Sequence, residues 1–197
     1  AAAELCGPDG PVIAPLAGGT MNMLPYALYG RRPWQEALAS VLESGEEHPL
    51  AGGEVEGHGF LVAAILGAPA LWAPAREAVR RRDLRSAVRR AGVAWRRAFN
   101  GRVRYSLDVG PKGKAEAVSF LCPLTSRAMR NEAPALEAVI LTPEGAADAF
   151  RLAVNAATGD WRRDPSAHST PCRTARLWAS GSIPALLDGE PVRLPRR

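Results

Sequence analysis

Two short runs in this 197-residue chain carry residue types that could do chemistry. The first is Pro15-Leu16-Ala17-Gly18-Gly19-Thr20-Met21-Asn22. Glycines let a backbone come close to an anion. A helix starting at this point would aim free N–H groups and a positive dipole end at the same anion. Thr20 and Asn22 add side-chain hydrogen-bonding groups. A Gly-Gly-Thr turn also serves as a plain strand-to-helix connector. The second run is Asp188-Gly189-Glu190. One of its carboxylates could hold a divalent cation or act as a general base on a substrate hydroxyl. An Asp-Gly pair is equally a hairpin turn with solvated acids.

Both runs need elements to hold them. Ala1–Leu5 reads as the end of a helix, and Cys6–Pro11 as a turn around Pro8-Asp9-Gly10. Val12–Leu16 is a short apolar run suited to a buried strand. Met21–Leu28 then begins a helix with Pro25 in its first turn. Trp34–Leu42 follows as an amphipathic helix whose apolar positions Trp34, Ala37, Leu38, Val41 and Leu42 recur at helical spacing. Strand, glycine turn and helix make half of an α/β unit.

The texture changes near Ser44–Ala51. Leu50–Gly59 and Phe60–Leu66 read as paired strands around glycine turns. An Arg-rich helical block runs from Ala73 to Phe99. Strands are predicted at Val103–Asp108, Ala115–Cys122, Leu136–Leu141 and Ala175–Ala179, with one more helix at Glu144–Ala157. A mostly β domain with a couple of helices therefore follows the α/β piece.

Composition narrows the function classes. A hydrophobic fraction of 47% supports a genuine core. The longest apolar candidate for a membrane span, Phe60–Ala75, is broken by Gly67, Pro69 and Pro74. Ala1–Leu5 has no basic leader and no initiator Met, so no signal peptide is expected and the chain reads as a fragment or processed product. Cys6, Cys122 and Cys172 are odd in number and far apart, which argues for buried free thiols in a reducing cytoplasm. His48, His58 and His168 lack metal-ligand spacing and are expected at the surface or in loops.

The net charge of +5 favours anionic partners. The arginines of Arg76–Arg104 could face an anionic membrane, or simply form a solvated helix face. Few aromatics interleave with them, so a nucleic-acid partner is not expected. The tryptophans at 34, 72, 95, 161 and 178 are expected in the core and at domain interfaces, with Trp72 a candidate to line a lipid-entry cleft.

Taken together, Pro15-Leu16, Gly19-Thr20-Met21-Asn22 and the late Asp188-Gly189-Glu190 resemble the diacylglycerol kinase catalytic family, which includes bacterial lipid kinases and sphingosine kinases. The resemblance covers the chain nearly end to end, with specific residues at its two ends. It implies an α+β fold: residues 1–45 as the remnant of an α/β ATP-binding domain, and 46–197 as a β-sandwich-like domain with helical insertions. It implies ATP and Mg²⁺, and transfer of the γ-phosphate to a lipid hydroxyl such as that of diacylglycerol. Glu190 would be the base or metal-linked carboxylate, with Asp188 positioning it. Gly18, Gly19, Thr20 and Asn22 would contact nucleotide or phosphate. It further implies a cytoplasmic enzyme, peripheral at the inner membrane face.

Three features depart from the family pattern. Its Gly-Gly-Asp-Gly-Thr loop would fall before Ala1. Ala17-Gly18 lengthens the turn by one residue. The stretch Pro134–Leu141 offers Glu137 where the family often has an acidic Asp-Gly turn. The alternative reading is a non-catalytic relative that binds lipid or phosphate without ATP chemistry.

Overall fold

A computed structural model describes residues 10–19, 22–67, 102–110, 112–126, 135–144, 148, 151 and 164–194. The helical block at Ala73–Phe99, and with it Trp72 and Trp95, lies outside these residues. So do Trp161, Cys6, Thr20, Met21 and the Ala1–Leu5 segment. Of Glu144–Ala157, Asp148 and Arg151 are helical, Glu144 is not, and the rest lie outside the described residues.

Helix α1 is Met23–Tyr29 and α2 is Trp34–Ser44. Both sit where the sequence places helices. Pro33 is the N-cap of α2, its fixed φ of −56° turning the chain into the helix. Gly45 ends α2, donating its N–H to the Val41 carbonyl at 2.9 Å. The Val12–Leu16 run forms no strand. No sheet takes it as a neighbour, and Val12 is 70% exposed. An apolar run becomes a strand only when a ladder partner satisfies its backbone. Of the strand, glycine turn and helix expected here, the described residues show the helices and no strand.

The rest is antiparallel sheet. Strands β1 (Gly53–Val55) and β2 (His58–Phe60) make a hairpin closed by Glu56-Gly57. Both turn residues have positive φ, 50° and 78°, the pattern that matches the twist of paired strands. The expected pairing of Leu50–Gly59 with Phe60–Leu66 is thus corrected. The hairpin closes within residues 53–60, and the next strand, β3 (Ala63–Gly67), pairs elsewhere.

The remaining strands are β4 (Val103–Leu107), β5 (Lys112–Ala115), β6 (Ala117–Leu121), β7 (Leu136–Leu141), β8 (Ala167–Cys172), β9 (Ala175–Trp178), β10 (Pro184–Leu187) and β11 (Glu190–Arg193). A six-stranded sheet runs β11-β10-β3-β6-β7-β8, and a three-stranded sheet runs β5-β4-β9. One core joins them. Ala64, Leu66, Val118, Phe120, Ala138, Ile140, Ala185 and Leu187 of the large sheet meet Val103, Tyr105, Leu107 and Ala115 of the small one. Alternation explains the choice: on β4, Val103, Tyr105 and Leu107 are buried while Arg104 is exposed. Two sheets sharing one apolar core have the build of a β-sandwich.

Cys122 and Cys172 are buried and free, as expected for structural thiols. Burial pushes both up to about 12. Trp34 and Trp178, 45% and 40% exposed, depart from the core placement expected of the tryptophans. The three histidines are exposed, with His58 and His168 on strands.

Candidate active site

Asp188-Gly189 is the two-residue turn of the β10–β11 hairpin, with Leu187 opposite Glu190. Asp188 and Gly189 have φ of 49° and 93°, which an Asp-Gly pair tolerates better than most. The Asp188 carboxylate is engaged within the protein. Oδ2 accepts the N–H of Leu61 at 2.8 Å, and Oδ1 accepts those of Val62 at 2.8 Å and Ala63 at 3.0 Å. The Asp188 N–H donates in return to the Ala63 carbonyl at 2.9 Å. The chain bends at Leu61-Val62 between β2 and β3, where its N–H groups leave the ladder. Asp188 satisfies them with a charged acceptor, the stronger kind of hydrogen bond.

This clamp fixes the turn to the sheet. Glu190, the first residue of β11, leaves it with an exposed side chain. Behind the clamp, the Cys122 thiol faces the Phe60 carbonyl at 3.7 Å. Burial raises its pKa, and the negative charge of Asp188 raises it further. The thiol therefore stays a neutral filler.

The glycine run is built differently. Asn22 is the N-cap of α1 with φ 47° and ψ 34°, and its Oδ1 accepts the Gly19 N–H at 2.8 Å. Its Nδ2 reaches the Tyr26 hydroxyl at 3.5 Å. Asn22 thus ties the Gly18-Gly19 turn to the helix start. A side chain added at Gly18 would meet nothing within 4 Å. Packing among the described residues does not require a glycine there. Thr20 lies outside the described residues. No hydrogen bond or ion pair links this run to the Asp188-Gly189 turn among the described residues.

Magnesium, which the resemblance implies, fits these residues poorly. Among the described residues no three His, Cys, Asp or Glu side chains come together to hold a cation. Both Asp188 oxygens already accept N–H groups.

The sequence singles out Glu137 only as a departure from the family's acidic turn and gives no sign of Asp164; the structure buries both carboxylates. Glu137 on β7 is fully buried and accepts the hydroxyls of Ser126 and of Ser169, the latter at 2.7 Å. Asp164 is 2% exposed and takes the Arg151 guanidinium at 3.0 and 3.2 Å. Arg151 also meets Asp148 at 2.6 Å and the Ser166 hydroxyl at 3.2 Å. A lone acid inside a β-forming run such as Leu136–Leu141 was the available signal for Glu137. Nothing in the local sequence joins Arg151 to Asp164.

No protein-family model matches the chain, and no curated protein matches it in sequence. Its fold does match solved structures. One, described as a "putative diacylglycerol kinase" from Bacillus anthracis str. Sterne, is similar at TM-score 0.61 and 15% identity, over 94% of this chain and 65% of that one. A second structure of the same description and source is similar at TM-score 0.57 and 12% identity, over 90% of this chain and 62% of that one. The class defined here is that fold. The chain spans less than two thirds of the length of either structure.

Proposed function

We propose that this chain is the greater part of a lipid kinase, with Glu190 as the base that takes the proton of a lipid hydroxyl. The observation that carries the proposal is the fold shared over 94% of the chain with a protein described as a diacylglycerol kinase. The Asp188-Gly189-Glu190 geometry supports the same reading. The Asp188 clamp holds the turn rigidly, and Glu190 stands exposed beside it. A carboxylate facing solvent on a held turn is open to a bulky hydroxyl acceptor, and a base must come within hydrogen-bond reach of the proton it removes.

ATP is the co-substrate and supplies the phosphoryl group. Glu190 accepts the hydroxyl proton as the acceptor oxygen bonds to the γ-phosphorus, and ADP leaves with the bond to its β-phosphate oxygen broken. Gly18 and Gly19 offer close backbone approach on the nucleotide side, with Thr20 and Asn22 beside them. Asp188 is a positioning residue, because its oxygens are occupied by Leu61, Val62 and Ala63.

The second reading is a non-catalytic binder of lipid or phosphate. Turnover of ATP on diacylglycerol, sphingosine and related lipids in mixed micelles separates the two. The protein at its full natural length should phosphorylate at least one of them. Lipid binding with no ADP release on any acceptor would sustain the binding module and end the kinase reading.

A further inference from the structure

The outer face of the small sheet is cationic. Register places Lys114, Arg104 and Trp178 side by side across β5, β4 and β9. The next outward row is Lys112, Ser106 and Arg176. The lysines, arginines and Trp178 in these rows are exposed, while the inward residues of the same strands form the core. Beside the first row lies a concavity of about 460 Å³, lined by Arg102, Arg104, Lys114, Trp178, Ala179 and Ser180. Glu116 is the nearby acid, and it is paired with Arg102 at 3.2 Å. Among the described residues, no carboxylate pairs with Arg104, Lys112, Lys114 or Arg176.

Like charges placed directly opposite each other destabilise a sheet. Arg104 opposite Lys114 is such a pair, with no carboxylate paired to either among the described residues. A fold carries that penalty readily when a counter-charge arrives from outside. The face is two-rowed and extends past the concavity to Lys112 and Arg176, so it is broader than a single phosphate needs. It also presents a half-exposed indole level with the cations. Trp prefers the headgroup layer of a bilayer, where its ring is buried and its N–H is wet. Basic side chains are drawn to the negative potential of anionic leaflets, at up to about five-fold in affinity per residue.

We propose that the β5-β4-β9 face docks the protein onto an anionic phospholipid bilayer, with Arg104, Lys112, Lys114 and Arg176 on headgroup phosphates and Trp178 in the interface. The proposal draws its purpose from the lipid-acceptor reading, but its test reads binding without turnover. The two can therefore fail separately.

The test is co-sedimentation of the chain with unilamellar vesicles of phosphatidylcholine, alone or mixed with phosphatidylglycerol. The expected result is binding to the mixed vesicles, weakened by added salt, and none to phosphatidylcholine alone. The charge reversal Arg104→Glu/Lys114→Glu should weaken it at least about ten-fold, since reversal both removes attraction and adds repulsion. The milder Arg104→Gln/Lys114→Gln should fall between, which guards against a folding artefact. Arg32→Glu, an exposed cation outside this sheet, should leave binding unchanged. Equal binding by wild type and the charge-reversed variant would overturn the proposal. So would stronger binding to a single-stranded oligonucleotide than to the vesicles.

Discussion

At the scale of single residues, Asp188 and Glu190 are two apart in sequence and opposite in role. Asp188 holds three backbone N–H groups, so Asp188→Ala should lower stability by about 2–3 kcal/mol in denaturant titration, as expected when donors to a charged acceptor lose it. Glu190→Gln should change stability by no more than about 0.5 kcal/mol, because an exposed side chain gives up little. Gly189 has φ of 93°, so Gly189→Val should be destabilising by roughly 1–3 kcal/mol, seen as a lower midpoint with an unchanged slope. The residue types alone do not rank the two acids; the family resemblance gives Glu190 the chemistry and Asp188 the positioning, but not the groups that Asp188 holds. Its partners, Leu61 to Ala63, lie more than a hundred residues away and contribute backbone N–H groups, which carry no residue code. That is why the clamp at Asp188 was invisible before the fold was known.

At the scale of elements, legibility followed local signals. Helix α2 was readable because its apolar positions recur at helical spacing and Pro33 marks its start. The β10–β11 turn was readable because Asp-Gly has few other uses between apolar runs. Strand β5 was missed because Lys112-Gly113-Lys114 looks like a loop. It is a strand because its backbone pairs along β4, with Gly113 opposite Tyr105, where an added side chain would press on the Tyr105 ring at 3.0 to 3.3 Å. Strand β8 was missed because His168-Ser169-Thr170-Pro171 is polar and contains proline. It pairs with β7 at the edge of its sheet, where a missing N–H is tolerated. Val12–Leu16 failed in the other direction, an apolar run without a ladder partner. The Arg151–Asp164 contact is a long-range fastener between a helical residue and the turn before β8. Arg151→Ala should lower the melting temperature more than Asp148→Ala, because Asp164 is fully buried and Asp148 is part exposed.

At the scale of the whole molecule, two sheets close on one core, and that core contains both described thiols. Each is raised from an ordinary value of 9.0 to about 12, so the folded protein holds protons that the unfolded chain releases. Stability from this source is complete below about pH 9 and is lost as pH rises toward 12. Denaturation at about pH 8 and about pH 10.5 should show that fall, and it should shrink in Cys122→Ala. Among the described residues no helix is long and apolar enough to cross a membrane. The shared fold covers nearly all of this chain at low identity, which is how a core pattern can persist when its residues have changed.

The central claim is that Glu190, on its clamped hairpin, is the base of a lipid kinase. Its most direct test is the rate of phosphoryl transfer from ATP to diacylglycerol in mixed micelles, for wild type and Glu190→Gln at full natural length. Both proteins should first be shown equally folded. The account predicts a fall in kcat of about a hundred-fold or more, the usual scale of a lost general base, with little change in lipid KM. An unchanged kcat in the Gln variant would contradict it.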